Sequence, residues 1–86
     1  MIPRIKNIQV MGDFLLLIEF DGGKRVLYDV KDDIKTLPDF KILESENGLF
    51  KNYKIDSSRT CIFWTDRVDL PSDTLLEFGS PVQESL

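Results

Sequence analysis

Near the start of the chain apolar and polar positions alternate with the two-residue period of strands that bury one face. Asp13–Phe20 sets Phe14, Leu16, Ile18 and Phe20 on one side and Leu15 and Leu17 on the other, before Glu19 turns that side polar; this predicts a largely buried central strand. Asp21, Gly22 and Gly23 then supply residues that accept the positive φ of a tight hairpin, and Lys24–Val30 resumes the alternation through Val26, Tyr28 and Val30. Upstream, Arg4–Met11 places Ile8 and Val10 on one face, with Gly12 and Asp13 as the connector. Together these segments predict a three-stranded antiparallel meander.

The period fades after Val30. Val30–Thr36 is polar apart from Ile34, and Pro38 forbids a long helix through this stretch. With Pro38 at a first helical position, Phe40 and Leu43 three apart and Gly48 as a stop, one or two helical turns are expected. Leu49–Ile55 reads as a fourth strand, Ser57–Arg59 as a turn and Thr60–Thr65 as a fifth strand. Ile62 and Trp64 face one way on it and Cys61 and Phe63 the other, so both its faces should be covered. Ser72 or Asp73 is expected to cap a short helix holding Leu75, Leu76 and Phe78, with Gly79 as its terminator. The predicted fold is α+β: an antiparallel three-stranded meander, a short helical segment, two further strands and a C-terminal short helix. It forms one domain over residues 1–79, with 80–86 as a flexible tail.

Eighty-six residues, 42% of them hydrophobic and 30% charged, suffice for one folded domain. A chain this short is marginally stable and gains from burying surface against a partner, so self-association as a homodimer or a complex with another protein is expected. Eleven basic against fifteen acidic residues leave a net charge of −4, which disfavours direct nucleic-acid binding and anionic membranes. The longest apolar run, Phe14–Ile18, is too short to span a bilayer, and no secretory-type apolar segment follows Met1. A single cysteine, Cys61, cannot form an internal disulfide, so the expected compartment is the cytoplasm.

Histidine is absent, which removes the usual general base, the commonest zinc ligand and every Ser-His or Cys-His pairing. Paired carboxylates do occur: Asp66 and Asp69 flank Arg67, and Asp29, Asp32 and Asp33 follow the third strand. Acid/base work would need two carboxyls at a defined separation in environments that split their pKa values. Turn, cap and solvated roles suit aspartates at such places, and neither cluster has the alternating ligands and mid-loop glycine of an EF-hand. Gly22-Gly23 lies between strands with no helix to aim amides at a phosphate. Cys61, inside an apolar strand, reads as a packing residue. Trp64, Tyr28, Phe63 and Phe20 suit either a core or a binding surface. No catalytic residue, metal ligand or cofactor is expected.

Taken in order, Phe14–Val30, Phe40 with Leu43, Leu49–Phe50 with Ile55–Asp56, Ile62–Trp64 and Asp69–Leu75 resemble the small prokaryotic domain of unknown function 2442, over about Ile5 to Gly79. The resemblance implies a compact α+β domain with no established catalytic activity. Some members of that family precede a helix-turn-helix module and others are encoded beside small partners in a toxin-antitoxin-like context, which implies an interaction or regulatory role. Residues 80–86 are too few for a DNA-reading helix pair, and Arg67-Val68 stands where the family tends to have glycine before its Asp-Leu pair.

The function expected from these readings is a non-enzymatic interaction or regulatory module that binds a protein through an exposed sheet edge or an apolar patch. The alternative is a domain that binds a small planar or cationic metabolite. Trp64, Asp69, Tyr28 and Asp29 are the candidate binding residues, because alternation is expected to set Trp64 and Tyr28 on one sheet face with acidic neighbours at the strand ends.

Overall fold

A computed structural model describes residues 2–82. The meander forms as expected from β1 (Ile5–Val10), β2 (Leu15–Phe20) and β3 (Arg25–Asp29), antiparallel throughout. Alternation sends Leu16, Ile18 and Phe20 of β2 and Val26 and Tyr28 of β3 inward. Gly22 and Gly23 adopt φ of +96° and +97° at the hairpin, a conformation that costs glycine nothing. In the first hairpin the positive φ values fall instead on Asp13 (+66°) and Phe14 (+61°), so Phe14 leaves the inward row of β2 and sits in the turn. For a bulky residue this is an uncommon conformation. Edge-on packing of the Phe14 ring against Phe50, with centroids 5.1 Å apart, offsets part of its cost.

After β3 the chain turns into α1 (Lys31–Thr36), where the sequence had suggested an irregular stretch. A helix of six residues with one apolar side chain shows no period; burying Ile34 in the core defines it. It ends because Leu37, preceding Pro38, is held extended. A 3₁₀ turn (Pro38–Lys41) and α2 (Ile42–Ser45) supply the expected short helical segment and bury Phe40 and Leu43. The fourth strand is far shorter than Leu49–Ile55: Leu49–Lys51 forms a 3₁₀ turn and only Lys54–Ile55 (β4) pairs with β5 (Cys61–Thr65). The curl turns Phe50 inward, where its ring stacks on Trp64 at 5.7 Å and its carbonyl accepts the Trp64 Nε1–H at 2.9 Å. A further strand, β6 (Val68–Pro71), arises where no element was expected and the aspartates suited turn, cap or solvated roles, and pairs with β5 to bury Val68 and Leu70.

Two sheets result, ordered β1-β2-β3 with a final strand beside β3, and β4-β5-β6. Their inward rows, with Ile34, Phe40, Leu43, Phe50 and Leu75, form one buried cluster. α3 (Ser72–Phe78) begins after Pro71 without a side-chain cap; the Ser72 hydroxyl, fully buried, instead donates to the Pro3 carbonyl at 2.6 Å. The expectation of a loose segment from Ser80 onward is corrected for its first residues. Ser80–Pro81 (β7) pairs with β3, and the Val82 N–H donates to the Arg25 carbonyl at 3.0 Å. Main-chain hydrogen bonds to an existing sheet edge hold what composition alone would leave unanchored, and residues 83–86 lie outside the described part. Pro81 brings no N–H to the open side of β7, which blunts that edge. Among the described residues no helix is long and apolar enough to cross a membrane.

Gly79 ends α3 as expected, but not through a left-handed cap: its φ is −74°. What requires glycine is proximity, since a Cβ there would lie 2.6 Å from the Leu75 carbonyl oxygen and 2.9 Å from the Val26 side chain. Gly79→Ala is therefore expected to lower the unfolding free energy by about 1–3 kcal/mol, through forced displacement of the α3–β3 contact. Urea denaturation followed by circular dichroism measures this; an unchanged midpoint would show that the contact relaxes freely.

Candidate functional site

The same alternation that fills the core leaves β2 and β3 with a second, outward row. Leu15 and Leu17 of β2 share that face with Leu27 of β3, Leu17 lying directly opposite Leu27 and Leu15 opposite Asp29. These leucines are only half-buried and, among the described residues, stand apart from the core cluster. Beside them the C-terminal end of α3 holds out Phe78 with 71% of its surface exposed. The sequence reading placed Phe78 on that helix together with Leu75 and Leu76. Instead Leu75 takes the core position, and the turn into β7 leaves Phe78 outside.

Where β3 runs into α1 and meets α3, a half-open groove of about 610 Å³ forms. Leu15, Leu27 and Phe78 give it apolar walls, Thr74 and Ser80 a small polar side, and Asp29, Asp32 and Asp33 an acidic one. Each carboxylate arrives there for a local reason. Asp29 is the last outward residue of β3, and its Oδ1 accepts the Lys31 N–H at 2.9 Å, starting the helical turn. Asp32 and Asp33 occupy the first turn of α1, where the helix dipole favours negative charge. Tyr28, inward on β3, reaches α1 with its hydroxyl and donates to Asp33 Oδ2 at 2.8 Å. Lys31 Nζ sits 3.2 Å from Asp29 Oδ1 but is shared with the first hairpin, donating to the Asp13 carbonyl at 2.7 Å.

The electrostatics follow from this crowding. Burial pushes the Asp33 carboxyl above its ordinary value; the Tyr28 hydrogen bond opposes that shift, and the charges of Asp32 and Asp29 add to it. The Tyr28 phenol is raised well above its usual range by burial, by its bond to Asp33 and by the same carboxylates. It is therefore a neutral donor throughout the physiological range. Two other depressions have similar size, about 540 and 550 Å³, but mix both signs: Asp39 and Glu44 with Lys41 and Arg67 in one, Asp21 with Arg4 in the other. Among the described residues, the groove at the β3–α1 junction has acidic side chains and no basic one in its lining.

Of the four residues singled out from the sequence, Tyr28 and Asp29 lie together in this groove. Trp64 and Asp69 belong to the other sheet. The expectation that Trp64 and Tyr28 share one sheet face is corrected: they point from two different sheets into a common core, and Trp64 is 7% exposed. Asp69 is exposed on β6, opposite Phe63. The leucines, Thr74, Phe78 and Ser80 were missed as site residues, because their convergence depends on how α3 and β7 return to β3. Cys61 is part-buried, and burial first, then Asp69 and Asp56, raises its thiol pKa, which makes it a weak nucleophile. Among the described residues no three acidic or cysteine side chains converge as metal ligands would.

The raised Asp33 pKa has a definite consequence for stability. The folded state holds this proton more tightly than the unfolded chain, so the contribution of Asp33 improves as pH falls through its folded value and is lost above it. Asp21, lowered by its bidentate pairing with Arg59 at 2.9 and 3.0 Å, behaves oppositely and loses its contribution as pH falls below the ordinary carboxylate range. Asp33→Asn keeps an acceptor for Tyr28 and removes the charge. It is expected to raise the thermal midpoint at pH 7 and to have little effect near pH 3. A lower midpoint at pH 7 would contradict the assigned direction.

No protein-family model matches the chain, and neither a curated protein nor a solved structure does, so the groove and the sheet face beside it are read from their own chemistry.

Proposed function

We propose that this domain is a non-enzymatic interaction module of the cytoplasm whose partner, another protein or a second copy of the chain, docks on the outer face of the β1-β2-β3-β7 sheet. The observation that carries this reading is the half-buried apolar row of Leu15, Leu17 and Leu27, outside the core cluster, with Phe78 standing 71% exposed beside it. Apolar side chains gathered on one face, outside the core and rimmed by charge, are the usual mark of a surface that another molecule covers. The sheet edges support a face over an edge as the docking element. β7 is two residues long and carries Pro81, while β1 is fastened to the 53–59 segment by the Tyr53 hydroxyl on the Ile8 carbonyl and by the Ile5 N–H on the Arg59 carbonyl.

A second reading is favoured by the groove itself, whose 610 Å³ falls among the sizes that accept small ligands, about 300–1,000 Å³. In that reading a planar or cationic metabolite takes the place of a protein.

Native mass spectrometry of gently purified protein separates the two: a retained polypeptide or a dimer is expected, whereas a retained small mass would favour the metabolite. Leu17→Ser combined with Phe78→Ser is expected to abolish that association, at least tenfold in affinity, while circular dichroism stays native, because both side chains lie outside the core. A monomer that retains nothing, or a complex indifferent to both substitutions, would overturn the docking reading.

A further inference from the structure

We propose that the groove at the β3–α1–α3 junction recognises an arginine side chain, presented on a basic peptide segment of the partner that docks on the adjoining sheet face. This inference rests on the docking reading and specifies the chemistry of what docks. The carboxylates alone would not make a site; the apolar cavity they surround does. An arginine side chain has the same two-part character, an aliphatic stem ending in a planar cation, and it buries the stem along apolar walls while keeping the head at a polar end. Leu15 and Leu27 line the cavity as such walls, and Asp29, Asp32 and Asp33 supply acceptors. Phe78 adds an exposed aromatic ring over which a guanidinium can stack.

Charge complementarity selects the sign. Lys31 is the cation paired with Asp29, and it is divided between Asp29 and the Asp13 carbonyl and carboxylate. Tyr28 occupies one oxygen of Asp33, leaving the second able to accept. Burial first, and after it the charges of Asp32 and Asp29, raise the Asp33 carboxyl; a cation seated among them offsets the repulsion of those charges. Continuity with the outer face argues for a peptide over a free cation. The apolar row runs on from Leu15 and Leu27 to Leu17, beyond the groove lining, and a small molecule in the groove would leave that row bare.

The test is a titration of the ¹⁵N-labelled full chain with acetyl-Leu-Arg-Leu-amide, against the same peptide with citrulline in place of arginine and against free arginine. Amide shifts are expected at Leu27, Asp29, Asp33 and Phe78, together with a fall of the Asp33 side-chain pKa. The citrulline peptide and the Asp32→Asn and Asp33→Asn chains are expected to bind at least fivefold more weakly, and raising salt to ~0.3 M should weaken the arginine peptide further. Thermal midpoints of the two variants check that they are folded. Equal binding of the arginine and citrulline peptides, shifts confined to the β4-β5-β6 sheet, or no binding at all would overturn the inference. Free arginine binding as tightly as the peptide would overturn the commitment to a peptide. The docking reading fails separately: Leu17 lies on the face outside the groove lining, so if Leu17→Ser leaves both peptides bound as before, the face is not their site, whereas equal binding of the two peptides that is lost on Leu17→Ser removes only the arginine preference.

Discussion

The inward row of β2, Leu16, Ile18 and Phe20, has to be covered, and strands of its own sheet lie beside it rather than over it. In so small a domain the cover comes from a second sheet and a few helical turns, and everything else is arranged around that demand. Ile62, Trp64, Val68 and Leu70 supply the second sheet's share of the core. Trp64 does more than fill space, because its ring stacks on Phe50 while its indole N–H satisfies the Phe50 carbonyl. That pairing lets the chain curl at Leu49–Lys51 without leaving these polar groups unpaired among the described residues. The first hairpin is drawn into the same cluster, since Phe14, though held at positive φ, rests its ring edge on Phe50.

Covering one face of the first sheet leaves Leu15, Leu17 and Leu27 of the other half-buried and outside the core cluster. The chain's helical turns spend Ile34, Phe40, Leu43 and Leu75 on the core. The chain then returns through α3 and β7 to the open side of β3. This return requires the close approach at Gly79, holds Phe78 out in solvent and completes the groove with Thr74, Phe78 and Ser80. Fold and surface chemistry are thus consequences of one shortage of covering elements. The acidic side of the groove comes from local rules for starting α1, in which Asp29 accepts the first amide and Asp32 and Asp33 occupy the helix's first turn.

The sequence is most legible where a local rule and the final structure agree. The β2–β3 hairpin, its Gly22-Gly23 turn and the inward rows of both strands depend on alternation and positive φ, which are properties of a few neighbouring residues. Tyr28 points inward and Asp29 outward by the same alternation, and both line the groove because the Tyr28 hydroxyl reaches Asp33 on α1. Failures gathered where one or two apolar side chains had to choose between partners distant in sequence. Ile34 makes a helix of a polar stretch, Phe50 makes a turn of an expected strand, and Val68 with Leu70 makes a strand where no element was expected.

The amino-acid sequence by itself determined an α+β chain with a meander at its start, a net negative surface, a single thiol and no histidine, because each is a matter of composition or of near-neighbour geometry. Only the tertiary structure decided that Trp64 and Tyr28 face one core from two sheets, that Ser80–Pro81 joins the first sheet, and that three carboxylates and an exposed Phe78 surround one apolar groove. The physical reason is sequence separation. Burial compares every way of covering an apolar row at once, and contacts between Leu27 and Ser80, or Phe50 and Trp64, gain nothing until the intervening chain has already been placed.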